Sequence, residues 1–454
     1  MMKLDEIRVL SPTAILGYGF PVSSFEEGLK RNPHVIAVDA GSTDPGPYYL
    51  GSGKSFTQRS AVKRDLEFLV KASVERNIPL IIGTAGGSGA RPHVEWNLDI
   101  LREILEALNV DVPLAVIYSD IDRKLVHEKL ELGQILPCGP ARTLTTETLS
   151  STTNLVAQMG IEPVIKALQA GAQIVLAGRA YDPVSFAALP VMKGFDMGLA
   201  LHMGKILECA AIAANPGSGS DCLMGYLQHD SFILEALNPQ RECTRLSIAA
   251  HTLYEKSDPY SLPGPGGRLD LTNTTFEQLD GGRVRVSGTV FEPTENYYVK
   301  LEGAQLIGYR TISIAGVRDP IMIKQIDSVI EEVKKRVKDN FHNLNDYYLH
   351  VHCYGKNGVM GNLEPSPHPG HELGLVIEAV AATQDIADTI CSFARSTLLH
   401  YGYPGRKSTA GNLAFPYSPS DFPAGEVYQF SVHHLMQVED GTVLFPIEMR
   451  GSQK

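Results

Sequence analysis

The chain reads as an α/β protein: an N-terminal parallel sheet with helices on both faces, followed by a C-terminal α+β domain with a mixed or antiparallel sheet. Three observations predict this. In the first half, short apolar runs alternate with longer amphipathic stretches, the βαβα rhythm of a covered parallel sheet. In the second half, strand-like segments follow one another around Gly-rich turns. With 454 residues, 43% apolar and 20% charged, the chain is long enough for two domains with a substantial core. Residues 216–220, Pro-Gly-Ser-Gly-Ser, break a helical pattern between Asn215 and Pro239, so the expected domains are 1–230 and 231–454.

In order, residues 8–10, 34–39, 80–83, 114–119 and 173–177 are short apolar runs and predict strands. Residues 60–76 and 92–109 have helical periodicity. The second half is expected to open with a strand at 245–252. Asp280-Gly281-Gly282 then marks a hairpin between 270–277 and 283–291. Residues 298–302 and 305–314 predict two further strands. Ile326, Val329, Ile330, Val333 and Val337 share one face of a helix. Strands at 348–353 and 373–380, a helix capped by Thr383 and running to about residue 400, and a closing strand at 427–438 complete the pattern.

A net charge of −11 without a basic run argues against a nucleic-acid partner. No apolar stretch is long enough to span a membrane, and the acidic start Met1-Met2-Lys3-Leu4-Asp5-Glu6 lacks a signal-peptide core. The six cysteines are scattered, with no Cys-x-x-Cys. They suit reduced thiols in a cytoplasmic protein better than disulfides or a zinc knuckle.

In open parallel sheets, ligands bind beyond the C-terminal strand ends, and the polar loops of the first half follow those ends. The stretch Ile81-Ile82-Gly83-Thr84-Ala85-Gly86-Gly87-Ser88-Gly89-Ala90-Arg91 reads as strand, glycine loop and helix start. Free amides there favour an anion, which makes Gly86, Gly87, Ser88 and Gly89 candidate substrate binders. Their spacing does not match a dinucleotide fingerprint, and Gly51-Ser52-Gly53-Lys54-Ser55 lacks the first glycine of a nucleotide P-loop.

After the strand at 34–39, Asp39 is a candidate general base, and Ser42, Thr43 and Asp44 are candidate hydrogen-bonding groups; the bland alternative is a loop-organising Asx-turn. Arg179 suits bidentate carboxylate binding, and Asp182 would pair with it or act as a base; the alternative is a purely internal ion pair. His202 and Glu208, on a helix-like segment, are candidate acids, with a structural buried glutamate as the alternative. Asp221 and Cys222 are weaker candidates. His350, His352, His368 and His371 are metal-like in type but follow no recognised ligand spacing, and a serine or cysteine nucleophile motif is absent.

Several strings together resemble the acyclic terpene utilisation (AtuA-like) family. They are Asp39-Ala40-Gly41-Ser42-Thr43-Asp44-Pro45-Gly46-Pro47-Tyr48-Tyr49-Leu50-Gly51, the 83–89 loop, residues 202–209, Ala250-His251-Thr252-Leu253-Tyr254-Glu255-Lys256-Ser257-Asp258-Pro259, and residues 393–412. The resemblance spans nearly the whole chain. It implies metabolism of branched terpenoid acids through coenzyme A thioesters and carries no assigned catalytic residues.

The expected function is acid–base chemistry on a small carboxylate or its coenzyme A thioester, of lyase, hydratase or isomerase type. Asp39 or Asp182 would take a proton, Arg179 would hold the carboxylate, and His202 or Glu208 would return the proton. Glycine-loop amides would stabilise an enolate. The alternatives are a metal-dependent hydrolase drawing on the histidine-rich second half, and a non-catalytic binding or assembly subunit. No cofactor is expected, with a metal ion as the one candidate. The expected partners are a small anionic substrate and further copies of the chain.

Overall fold

The computed structural model describes residues 4–407 and 410–451. Met1-Met2-Lys3 of the N-terminal string, and Ser408 and Thr409 of the 393–412 segment, lie outside the described residues. The chain forms two compact units, Met1–Gln305 with Phe430–Lys454, and Leu306–Gln429. No helix of the described residues is long and apolar enough to cross a membrane.

The first unit is built on a ten-stranded sheet. At its centre, five parallel strands stand in the spatial order Ile7–Ser11, Val35–Asp39, Leu80–Gly83, Ile174–Ala177, Leu114–Ile117. Alternate residues of these strands feed two cores, as expected of strands covered on both faces. Ile36, Val38, Leu80 and Ile82 meet Leu66, Leu69, Leu98 and Leu101 of helices Arg59–Arg76 and Arg91–Leu108. Val35, Ala37, Ile81 and Val175 meet Phe186, Leu199 and Ile206 of helices Val184–Met192 and Met197–Leu207.

Antiparallel strands extend this sheet at both edges. Leu223–Leu227, Ser231–Ala236, Arg283–Ser287 and Thr275–Leu279 add to one side, and Ile447–Arg450 pairs with Leu114–Ile117 on the other. The expected boundary at 230/231 therefore falls inside an antiparallel pair, where Leu227 opposes Phe232. The Pro-Gly-Ser break upstream is a tied-down turn, not a linker. Gly219 O accepts from Ala14 N at 3.0 Å, and Pro216 O accepts from Arg241 Nη1 at 2.5 Å.

Segment 245–252, expected as a strand, is a helix. Thr244 and Ser247 form a reciprocal capping box, each side chain accepting from the other's backbone N–H at 3.0 and 3.1 Å. The hairpin at Asp280-Gly281-Gly282 joins Thr275–Leu279 to Arg283–Ser287, while Asp270 ends a separate three-stranded sheet, Ser261–Gly264, Gly267–Asp270 and Val290–Pro293. The two strands expected across 298–314 are one, Tyr297–Val317. Gly303 is small there for packing, since a Cβ on it would lie 2.8 Å from Thr152 Cγ2.

The second unit is antiparallel. Residues 309–317 pair with Leu373–Ala381, which pairs in turn with Tyr347–Tyr354. Helices Ile326–Asn340 and Gln384–His400 supply Val329, Val333, Ile390 and Ala394 to its own core. Thr383 caps the second helix as expected, accepting from Ile386 N.

Candidate active site

Three loops leave the C-terminal ends of the neighbouring strands Val35–Asp39, Leu80–Gly83 and Ile174–Ala177, and they interlock. A Cβ on Gly41 (φ 144°) would stand 2.5 Å from Gly87 O, and one on Gly89 (φ 72°) would stand 2.1 Å from Arg179 N. Only glycine permits such approach. Ser119 Oγ completes the lock, donating to Gly89 O at 2.8 Å and accepting from Arg179 N at 2.7 Å. The amides of Gly87 and Gly89 donate to Thr84 O and Ala85 O within the loop. Residues 86–89 thus hold neighbouring loops in place and do not line the cavity described below.

The interlocked loops set Asp39 and Asp182 beside Glu208, which caps the C-terminus of helix Met197–Leu207. Carboxylate oxygens of the three lie within 4.8 Å of one another. Lys205, one turn before Glu208 on a wholly buried helix segment, places its ammonium among them. Its Nζ donates to Asp182 Oδ2 at 2.9 Å, Glu208 Oε1 at 2.6 Å and Glu255 Oε2 at 3.0 Å.

Arg179 bridges Asp182 to a second buried carboxylate. Its Nε donates to Glu302 Oε2 at 2.5 Å and its Nη1 to Ala180 O at 3.1 Å, while Nη1 stands 3.6 Å from Asp182 Oδ1. Glu302 also accepts from Thr43 Oγ1 at 2.8 Å and pairs with Lys300 Nζ at 3.0 Å. Lys300 and Glu302 are two apart on one strand, hence on one face, and Lys300 is paired in register with Gln158.

This arrangement drives the carboxyls apart. Burial, then the charge of Asp182, pushes Asp39 and Glu208 well above the usual carboxylate range. Burial would also raise Asp182, but Lys205 and Arg179 reverse the effect and hold it low. Burial likewise opposes ionisation of Glu302, and Arg179 and Lys300 overcome it, leaving Glu302 far below the usual range. Lys205 is held protonated, its burial outweighed by Asp182, Glu208 and Glu255.

A cavity of about 470 Å³ opens on this cluster. Asp182, Lys205, Arg179, Lys300, Gln158 and Tyr181 give it a polar end, with Ser42, Asp44 and Glu255 also facing it. Leu262, Pro263 and Pro265 of the three-stranded sheet, with Leu435, make an apolar wall. Tyr181 is only 9% exposed, and its hydroxyl has no hydrogen-bond partner among the described residues. A larger depression of about 950 Å³ lies elsewhere, but its arginines are engaged, Arg31 by Glu27 and Glu235 and Arg241 by Asp221. The smaller cavity carries the unusual chemistry.

Of the residues singled out from sequence, Asp39, Asp182, Glu208 and Arg179 meet in one cluster, Ser42 and Asp44 line its cavity, and Thr43 braces Glu302. Ser88 Oγ is buried without a hydrogen-bond partner among the described residues. His202 stands apart from the cavity walls, held between Thr289 Oγ1 at 2.7 Å and Thr252 Oγ1 at 3.0 Å, and burial lowers it to about 3. Asp221 is the buried partner of Arg241, and Cys222 is a core thiol. His352 pairs with Glu378 in the second unit, with His350 beside it. Asp39, Asp182 and Glu208 form the one group of three or more potential metal ligands found among the described residues.

Lys205, Lys300, Glu302, Glu255 and Tyr181 escaped the reading of the sequence. Lys205 left a signal there, a single charge inside the apolar run Leu199-Ala200-Leu201-His202-Met203-Gly204-Lys205-Ile206-Leu207, three residues before Glu208. Glu302 left none, because its strand neighbours alternate in the ordinary way.

No curated protein and no solved structure matches the chain. The family model described as acyclic terpene utilisation family protein AtuA matches residues 54–218 and 230–427, most of the sequence and most of the residues that build the cavity. The chain belongs to the acyclic terpene utilisation family.

Proposed function

We propose that the chain is an enzyme that moves a proton on a small carboxylate or its coenzyme A thioester, in a lyase, hydratase or isomerase type of reaction. The observation that carries this reading is the pairing of unlike carboxyls. Asp182 faces the cavity in its ionised form, while Asp39 and Glu208, within 4.8 Å, favour the protonated form. Titratable neighbours pushed apart in this way mark an acid and a base. Asp182 takes the proton, and Asp39 and Glu208 behind it supply the acid that returns one. The Lys205 ammonium, fixed beside Asp182, steadies the negative charge that develops on the substrate oxygen. Six free cysteines suit work in a reducing cytoplasm.

Metal-dependent hydrolysis is the second reading, since the same three carboxylates have the spacing of cation ligands. Lys205 counts against it, because its ammonium already sits on Asp182 and Glu208. A purely binding role gives no reason for the divided carboxyls.

The test is solvent deuterium exchange. The protein is incubated in D₂O with short-chain carboxylates and their coenzyme A thioesters, and label beside the carbonyl is read by mass spectrometry. Asp182→Asn is expected to lower the exchange rate by roughly a hundredfold or more. Exchange at the wild-type rate in that variant overturns the assignment.

A further inference from the structure

We propose that the site takes a single carboxylate on the Lys205 ammonium, and that this carboxylate enters by displacing the side chain of Glu255. The inference rests on the acid–base reading for its location and adds to it the anchor and the charge of the ligand.

The three partners of Lys205 are not alike. Asp182 and Glu208 are fixed by the interlocked loops and the buried helix, with side chains 18% and 9% exposed. Glu255 is 38% exposed, on a surface turn beyond helix Arg245–Thr252. Its backbone is left-handed, with φ 58°, a conformation that L-residues other than Asn and Asp rarely adopt. Glu255 therefore reaches the cavity from an exposed position on an unfavourable backbone, where the Tyr254 hydroxyl is its other hydrogen-bond partner, and its carboxylate occupies the third donor of Lys205.

Charge supports an exchange of one anion for another. Around the ammonium, Asp182 and Arg179 are already ionised and paired, so a carboxylate arriving as Glu255 leaves keeps the local balance unchanged. A ligand with several phosphates finds no such balance, because Arg179 and Lys205 are saturated by acidic partners. Two donors face the same cavity and await an acceptor. Among the described residues the buried Tyr181 hydroxyl has no hydrogen-bond partner, and the Lys300 ammonium is ion-paired with Glu302 alone, at 3.0 Å. Together with Lys205 they form a pocket end suited to one carboxylate, and the Leu262–Pro263 wall faces whatever carbon chain follows it.

The experiment is isothermal titration of the full-length protein with butanoate, using methyl butanoate as the uncharged control. Glu255→Gln removes the competing charge. Glu255→Gly removes it and also relieves the left-handed backbone. Both variants are expected to bind butanoate roughly five- to tenfold more tightly than the wild type, and to leave methyl butanoate unimproved. Unchanged or weaker butanoate affinity in both variants overturns the proposal, as does equal tightening toward the ester or no butanoate binding by any of the three proteins. The readout is binding, not turnover. Tighter binding combined with exchange that ignores Asp182→Asn sinks the acid–base reading alone, whereas Asp182-dependent exchange without tightening sinks only the displacement.

Discussion

Arg179 and Glu302 have side chains 3% and 2% exposed, and each is the other's principal charge partner. Removing one leaves the other charged and dry, which costs far more than the pair itself contributes. Glu302→Ala is expected to lower the unfolding free energy by about 3–5 kcal/mol in denaturant titration, and Arg179→Met with Glu302→Leu by much less. The pH dependence has a definite sign. Glu302 is depressed in the fold, so its stabilisation is full above the unfolded glutamate value of about 4.3 and is lost as acid carries the solution down through the folded value. Asp39 and Glu208, raised in the fold, act in the opposite sense, stabilising most in acid and less as the pH climbs through their raised values. At this scale the sequence was half legible. Arg179 and Asp182, three residues apart in a polar loop after an apolar strand, announce themselves. Glu302 enters from 123 residues further along the chain, and nothing local marks it.

Among the elements, helix Arg245–Thr252 shows how a local hydrogen-bond pattern overrides apparent alternation. Leu246 and Ile248 are two apart and suggest one face of a strand, yet Leu246 is 78% exposed and Ile248 fully buried. The capping box at Thr244 and Ser247 decides for a helix and so delivers Thr252 Oγ1 to His202. Thr244→Ala is expected to cost about 1 kcal/mol, read as a lower melting temperature. The parallel strands were readable because each is apolar on both faces and ends in a polar loop. Of the antiparallel additions, the hairpin at Asp280-Gly281-Gly282 was readable from its turn, whereas Ile447–Arg450 finds Leu114–Ile117 across more than half the chain and carries no partner signal of its own.

For the whole molecule, the units the chain forms are not those its composition suggests. Strand Tyr297–Val317 begins in one and ends in the other without a Gly/Pro-rich linker, so no break in composition marks the crossing. Leu306–Gln429 nevertheless has a core of its own, from Met322, Ile326, Val329 and Val333 to Leu375, Ile377 and Ile390. Expressed alone, that segment is expected to fold, with helical circular dichroism and a cooperative melt; a featureless spectrum would show that its core needs the remainder of the chain. Every residue of the candidate site belongs to the other unit. There, Gly41 and Gly89 leave no room for even one carbon between the backbones they bring together. The back of the site is therefore fixed in shape, and adaptation to a longer or bulkier guest falls to the opposite side, where exchanging Leu262 or Leu435 would resize the chamber without moving the acid, the base or the ammonium between them.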